Sequence, residues 1–242
     1  MQEADFLFDK TYECPVCYQK IKSKTVRTGR ARQIRTDIDL RPVFEGIEPL
    51  KYEPVVCTEC GYSAMGKNFS AGLLPLYAKY IRENITPSFH YNINPGDVYT
   101  YDEAVYGYKM CLANAIVKKA KTSEIAYICL KLGWLYRSKG ESLNVEDADY
   151  EKQLEECKTK EMQNIRKAYE AFVQARQSEG YPMCGMDEMT VEYLIAVLAM
   201  DVKDYEVASR LLGNVLASYS ATPRMKDKAR DVKEELMKRM KE

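Results

Sequence analysis

The sequence predicts a mainly α-helical protein that begins with a small β module. Two Cys-x-x-Cys pairs lie within the first 60 residues. The segments beside them are rich in Thr and Val and are bordered by Gly and Pro, as short strands are. From about residue 70 onward, apolar residues recur at helical spacing instead. We therefore expect two parts, a β module over residues 1–69 and a helical domain over residues 70–242.

Composition narrows the class of protein before any motif is considered. The chain has 36 basic and 36 acidic residues, so no net field draws it to nucleic acid or to a membrane surface. Its N-terminus lacks the pattern of a signal peptide, and no apolar run reaches the roughly 18 residues of a membrane span. We expect a cytoplasmic protein, in which thiols stay reduced. Its eight cysteines then indicate metal binding or buried thiols.

The two cysteine pairs have the spacing of a metal site. They are separated by 39 residues, and two residues between the cysteines of each pair let both thiolates of one turn face the same point. Two such turns supply the four sulfurs of a closed, structural Zn²⁺ site. An iron–sulfur cluster is the alternative for the same ligands, whereas a single redox pair in a βαβ unit does not fit. The expected ligands are Cys14, Cys17, Cys57 and Cys60.

A basic segment lies between the two pairs and contains no acidic residue. Such a run is able to follow a phosphate backbone, so nucleic-acid binding is an alternative function. A solvated surface is the simpler interpretation, because acidic residues follow and no aromatic residues are interleaved for base stacking. The residues concerned are Lys20, Lys22, Lys24, Arg27, Arg30, Arg32 and Arg35.

Helical periodicity predicts six helices in the second part and one short helix before them. The short one lies within residues 70–84, where Pro75 must occupy the first turn for the helix to continue. The six longer helices are expected at about 101–120, 123–139, 148–179, 187–200, 204–219 and 223–241.

Small and aromatic residues in these helices resemble tetratricopeptide repeats. Leu132, Gly133 and Tyr136 match the first helix of such a repeat, and Ala168–Phe172 with Ala175 match its second helix. Small residues let paired helices approach closely while larger ones fill the gaps. The pattern predicts tetratricopeptide-like packing, with an irregular bundle as the alternative. A second copy is indicated by Ala196, Tyr205, Ala208, Leu212 and Val215.

Four segments together resemble an uncharacterised bacterial family, domain of unknown function 2225. They are FDKTYECPVC, DIDL, YEPVVCTECGY and LGWLYR, and the resemblance covers nearly the whole chain. Its most specific part is the two cysteine pairs followed by Gly61 and Tyr62. The resemblance implies ligation by the four cysteines and a helical repeat region. It implies no activity.

These features predict a non-enzymatic scaffold that binds a protein or peptide partner. A single histidine, in a loop, argues against His-based catalysis and against a multi-histidine metal site. Stacked helix pairs expose a groove whose aromatic and apolar lining suits a peptide. The alternative for each lining residue is a place in the core. The predicted lining is Tyr127, Leu130, Trp134, Arg137, Tyr193 and Val197.

Overall fold

The computed structural model describes residues 2–91 and 96–241 and is mainly helical, with short strands near the N-terminus, which confirms the predicted fold class. The strands are β1 (Leu7–Glu13), β2 (Lys20–Val26), β3 (Gln33–Thr36), β4 (Pro42–Phe44), β5 (Pro54–Val56) and β6 (Ser63–Met65). The helices are α1 (Gly66–Phe69), α2 (Pro75–Asn84), α3 (Tyr101–Val117), α4 (Thr122–Glu141), α5 (Tyr150–Ser178), α6 (Glu188–Asp201), α7 (Tyr205–Ala217) and α8 (Pro223–Arg239). Short 3-10 helices cover Glu3–Phe6, Pro49–Tyr52 and Thr86–Ser88.

The helices begin where the sequence supplies a cap. Thr100, Asp187, Asp204 and Thr222 each accept a hydrogen bond from a backbone N–H in the first turn of the helix that follows. Pro75 is the first residue of α2, where its missing N–H leaves no helical bond unmade. All seven predicted helices are therefore present, with ends shifted by a few residues. None of the helices in the described ranges is both long enough and apolar enough to cross a bilayer.

Two of the β-hairpins carry the cysteine pairs in their turns. Strands β1 and β2 pair in antiparallel register from Leu7 opposite Val26 to Glu13 opposite Lys20. Strands β5 and β6 pair from Pro54 opposite Met65 to Val56 opposite Ser63. Strands β3 and β4 form a third two-stranded sheet. We call the turns Cys14–Gln19 and Cys57–Tyr62 the first and second knuckles.

The described residues form two compact units. The first takes them from 1–35, 43–120 and 134–158, and the second from 36–42, 121–133 and 159–242. The compact units thus divide the chain differently from the predicted boundary at residue 69. The separate folding of residues 1–69 stays a prediction, while Ala78 and Ile81 of α2 belong to the core that surrounds the cysteines.

An aromatic cluster forms the core of the first unit beside the knuckles. Phe69 is completely buried, and its ring centroid lies 5.5 Å from that of Tyr12 and 5.0 Å from that of Tyr62. Tyr12 lies near the end of β1 and Tyr62 is the last residue of the second knuckle, so the three rings connect both hairpins. Edge-on and tilted ring pairs of this kind are favourable beyond the area they bury.

The second unit is built around α6. Its residues Val191–Met200 are all buried, and the Tyr193 hydroxyl donates to the carbonyl oxygen of Ile38, 2.9 Å away. A β-carbon on Gly133 would lie 3.0 Å from Cδ1 of Ile165, so α4 and α5 approach closely there. The repeat-type residues Ala168, Phe172, Ala196 and Ala208 are buried as well. These contacts are compatible with tetratricopeptide-like packing, which stays a prediction.

Candidate metal centre

The side chains of Cys14, Cys17, Cys57 and Cys60 meet at one point in the first unit. Their four Sγ atoms lie within 4.8 Å of one another. The Sγ atoms of Cys14 and Cys60 are 3.6 Å apart, and those of Cys17 and Cys57 are 3.5 Å apart. In residues 2–91 and 96–241, no other group of three or more His, Cys, Asp or Glu side chains comes together in this way.

Both knuckles have the same backbone geometry. The Cys14 N–H donates to the carbonyl oxygen of Gln19, 3.0 Å away, and the Cys57 N–H donates to that of Tyr62, 2.8 Å away. These bonds close each six-residue turn, and both sulfurs of each pair lie in the common cluster. The Cys-x-x-Cys spacing therefore produces the arrangement for which it is typical.

The electrostatics of the cluster favour a cation. Cys14, Cys57 and Cys60 are buried, and Cys17 is partly exposed. Hydrogen bonds from the Cys57 and Cys60 thiols lower the pKa of Cys14 to about 4, so that this sulfur is a thiolate at neutral pH. The bond with Cys14, then the bond with Cys57 and burial, raise the pKa of Cys60. A second ionised sulfur this close to the Cys14 thiolate is unfavourable unless a positive ion lies between them.

Donors from outside the knuckles hold the backbone carbonyls next to the ligands. Nδ2 of Asn114 donates to the Gly61 oxygen at 3.0 Å, and Oγ1 of Thr86 donates to the Cys60 oxygen at 2.9 Å. On the first knuckle, Nη1 of Arg82 donates to the Val16 oxygen at 3.4 Å. No sequence pattern indicates these residues, because single polar residues 26 to 66 positions away leave no periodic signal.

The other cysteines and the histidine lie outside this cluster. Cys111, Cys129 and Cys157 are buried in helices. Burial raises the pKa of Cys129 to about 11, which keeps its thiol protonated at neutral pH. His90 is exposed in a loop. None of these side chains is placed to share a metal ion with the knuckles.

The basic segment lies along β2 and the chain that follows it, and acidic residues accompany it. Nζ of Lys24 lies 3.0 Å from Oδ1 of Asp9. Arg32 pairs with Glu45 at 3.7 Å, and Arg35 pairs with Glu141 at 3.9 Å. Lys20, Lys22, Arg27 and Arg30 are exposed. The segment is therefore a surface of mixed charge rather than a continuous positive stripe.

Burial separates the six residues predicted to line a partner groove. Leu130, Trp134, Tyr193 and Val197 are at most 4% exposed, so in this structure they are core residues. Their apolar character reflects packing, which was the alternative interpretation of each. Tyr127 and Arg137 are half-buried. The existence of a partner groove stays a prediction, and it no longer rests on the four buried residues.

Comparison with known proteins agrees with the resemblance noted from the cysteine pairs. No curated protein and no solved structure matches this chain. The model of the family DUF2225, described as an uncharacterized protein conserved in bacteria, matches residues 7–236. That range holds both knuckles, with Asn114 and Thr86, and nearly all of the helical residues. The chain therefore belongs to the bacterial family DUF2225.

Proposed function

We propose that the four knuckle cysteines bind one structural Zn²⁺ ion and that the chain serves as a non-enzymatic scaffold for a protein or peptide partner. The observation that carries the metal assignment is the spacing of the sulfurs. Four sulfurs at about 2.3 Å from a central zinc form a tetrahedron with edges of about 3.8 Å. The Sγ–Sγ distances of 3.6 Å between Cys14 and Cys60 and 3.5 Å between Cys17 and Cys57 are close to that edge.

The same spacing favours a single ion over an iron–sulfur cluster. In such a cluster the thiolates bind different iron atoms and stand farther apart than ligands of one ion. Sulfurs within 4.8 Å of one another leave space for one central ion. Thiolate ligands select zinc among the common divalent metals of a reducing compartment. Zinc is therefore the proposed occupant.

A structural role follows from the number of ligands. Four protein ligands complete a tetrahedral shell and leave no position for water or substrate, unlike the three ligands of a catalytic zinc site. When bound, the ion links the two hairpin turns and neutralises their thiolates. Strands β5 and β6 have three residues each, so the second hairpin has few bonds of its own. Zinc would therefore add stability to the second hairpin that its short strands do not provide.

The scaffold proposal rests on the closed metal site together with the helical character of the chain. A closed site offers no chemistry of its own, and in the described part of the chain the knuckle cysteines form the sole metal-type cluster. Helical surfaces commonly bind peptides through a few aromatic or arginine anchors. Tyr127 and Arg137 are half-buried and remain candidates for such anchors. Each is proposed as an anchor independently of the other.

Nucleic-acid binding is the alternative that the structure favours less. Three of the seven basic residues already pair with carboxylates, which reduces the positive field available to phosphates. The remaining four, Lys20, Lys22, Arg27 and Arg30, would carry such binding if it occurs. Its affinity would fall steeply with salt.

Affinity purification of the tagged full chain from a bacterium that carries it tests the scaffold proposal. We expect a defined set of proteins that survives nuclease treatment and is reduced by Tyr127→Ala or Arg137→Ala. The matched controls are Tyr219→Ala and Arg224→Ala, which change exposed residues of the same types. Loss of every partner on nuclease treatment would contradict the proposal and would favour nucleic-acid binding by the basic segment.

A further inference from the structure

Asn114 is a polar residue in an unusual place. It lies on the buried side of α3, is completely buried, and uses both hydrogens of its side-chain amide. One goes to the carbonyl oxygen of Met110 in its own helix, at 2.9 Å, and the other goes to that of Gly61, at 3.0 Å. Its Oδ1 atom is buried without a hydrogen-bond partner. An unpaired buried acceptor is unfavourable, and the two bonds donated by Nδ2 help to offset it.

The bond to Gly61 acts on the residue that follows a predicted ligand. Gly61 comes directly after Cys60, and its own N–H donates to the carbonyl oxygen of Cys57 at 3.0 Å. The neighbouring carbonyl, that of Cys60, accepts from Oγ1 of Thr86 at 2.9 Å. Two consecutive carbonyls of the second knuckle are thus held by side chains from two different elements.

The first knuckle is held less firmly. Its one carbonyl bond from outside the knuckle, among the contacts described, comes from the exposed side chain of Arg82 at 3.4 Å. Charged donors on exposed, flexible side chains contribute little when their geometry is poor. The second knuckle is therefore the better ordered half of the cluster, and its order comes from α3 and from the Thr86–Ser88 turn.

We propose that Asn114 and Thr86 are positioning residues of the metal centre. They fix the backbone of the second knuckle so that the sulfurs of Cys57 and Cys60 point at those of the first knuckle before a metal arrives. This inference rests on the proposed metal function. Residues that orient ligands without touching the metal commonly change its affinity by about 10–100-fold when they are replaced.

The helix bond of Asn114 allows a matched control. Asn164 on α5 is also buried, and its Nδ2 donates to the carbonyl oxygen of Lys160, one turn earlier, at 2.8 Å. It has the same local bond as Asn114 but no knuckle to hold. Asn114→Leu and Asn164→Leu therefore remove the same amide and the same helix bond. Only the first also removes the bond to Gly61.

The experiment is a zinc titration against a competing chelator, paired with the visible spectrum of the Co²⁺-substituted chain. For Asn114→Leu and Thr86→Val we expect zinc affinity to fall by about 10–100-fold and the cobalt bands to shift. For Asn164→Leu we expect the wild-type affinity and spectrum. Thr86→Val keeps the shape of the side chain, so it tests the inference even if Asn114→Leu fails to fold.

Two results would overturn the inference in distinguishable ways. Wild-type affinity and an unchanged cobalt spectrum in Thr86→Val and in folded Asn114→Leu would show that neither residue positions the knuckle. An equal loss in Asn114→Leu and Asn164→Leu would assign the effect to the helices. Failure of the wild-type chain itself to bind zinc would instead reject the metal function, and the wild-type titration alone reveals that case.

Discussion

Tyr18 and Gly61 occupy the same position in the two knuckles. Each follows the second cysteine of its pair with a positive φ, 65° for Tyr18 and 76° for Gly61. Each N–H donates to the carbonyl oxygen of the first cysteine in its turn, at 2.8 and 3.0 Å. Their surroundings differ, because the Tyr18 side chain is exposed whereas Gly61 lies against Phe89. A side chain is therefore tolerated at one position and excluded at the other.

Replacing Gly61 by alanine should destabilise the first unit strongly. A β-carbon there would lie 2.6 Å from Cγ of Phe89, and the residue would also keep a left-handed backbone. The left-handed conformation alone costs about 1–2 kcal/mol for a residue with a β-carbon. We expect a loss clearly above that value, measured by urea unfolding of the metal-loaded chain.

Gly29 allows the effect of the left-handed backbone to be separated from the effect of contact with Phe89. It has the same φ of 76°, but a β-carbon on it would meet nothing within 4 Å. Gly29→Ala should therefore lose only the free energy that the left-handed backbone costs a residue with a β-carbon. In a Phe89→Ala background only the contact with the residue 89 β-carbon at 3.0 Å remains, so the loss for Gly61→Ala should fall most of the way to that for Gly29→Ala. Equal losses for Gly61→Ala and Gly29→Ala in the wild-type background would show that contact with Phe89 has no effect.

Chelation should distinguish a buried cysteine that binds metal from a buried cysteine that does not. Cys57 and Cys111 are both buried in the first unit, on the second knuckle and on α3 respectively. A strong chelator should lower the thermal midpoint of the wild type and of Cys111→Ala by roughly 6–12 °C, for a zinc contribution of at least about 3 kcal/mol. Cys57→Ala should start lower and show no further change. A chelator effect of wild-type size in Cys57→Ala would exclude Cys57 as a ligand.

Alkaline pH should weaken the second unit through Tyr193. Burial, followed by the negative charges of Asp39 and Asp231, raises the pKa of Tyr193 to about 12. Because a tyrosine in the unfolded chain has a pKa near 10, folding favours the protonated form. This contribution to the free energy of unfolding is complete below pH 10 and is lost as the pH rises from 10 to about 12.

Tyr193→Phe tests this linkage. At neutral pH it removes the hydrogen bond to the Ile38 oxygen and should lower the free energy of unfolding by about 1 kcal/mol. Between pH 10 and 12 its stability should fall less steeply than that of the wild type, as measured by urea unfolding at each pH. Tyr219→Phe is the control, since Tyr219 is fully exposed. Parallel pH profiles for the wild type and Tyr193→Phe would contradict the account.

Structure that depends on neighbouring residues could be predicted from the sequence, whereas the exposure of helix faces could not. Caps such as Thr100 and the proline at the start of α2 act within one turn, so the helix ends were predictable. The Cys-x-x-Cys spacing determines each knuckle in the same local way. The sequence did not show that Tyr193 and Val197 of α6 are buried. Val191–Met200 are apolar on every side of the helix, which removes the periodic difference between core and surface.

Contacts that join distant parts of the chain were also beyond sequence patterns. Asn114 reaches Gly61 across 53 residues, and nothing near Asn114 in the sequence marks it as different from Asn164. The role of the DIDL segment likewise becomes visible only in the folded chain. There the buried Arg41 side chain donates from Nε to Oδ2 of Asp37 at 2.6 Å, and the Ile38 carbonyl accepts from Tyr193. The pattern identified the segment, and only the fold gives its role.

The metal content of the purified chain after reconstitution, measured by elemental analysis, tests most directly whether the four cysteines bind one zinc ion. We expect one zinc per wild-type chain. We also expect a cobalt-substituted spectrum of tetrahedral, all-sulfur ligation and almost no bound metal in the Cys14→Ala, Cys60→Ala double variant. A wild-type chain that retains no zinc, or a double variant that retains a full equivalent, would contradict this expectation.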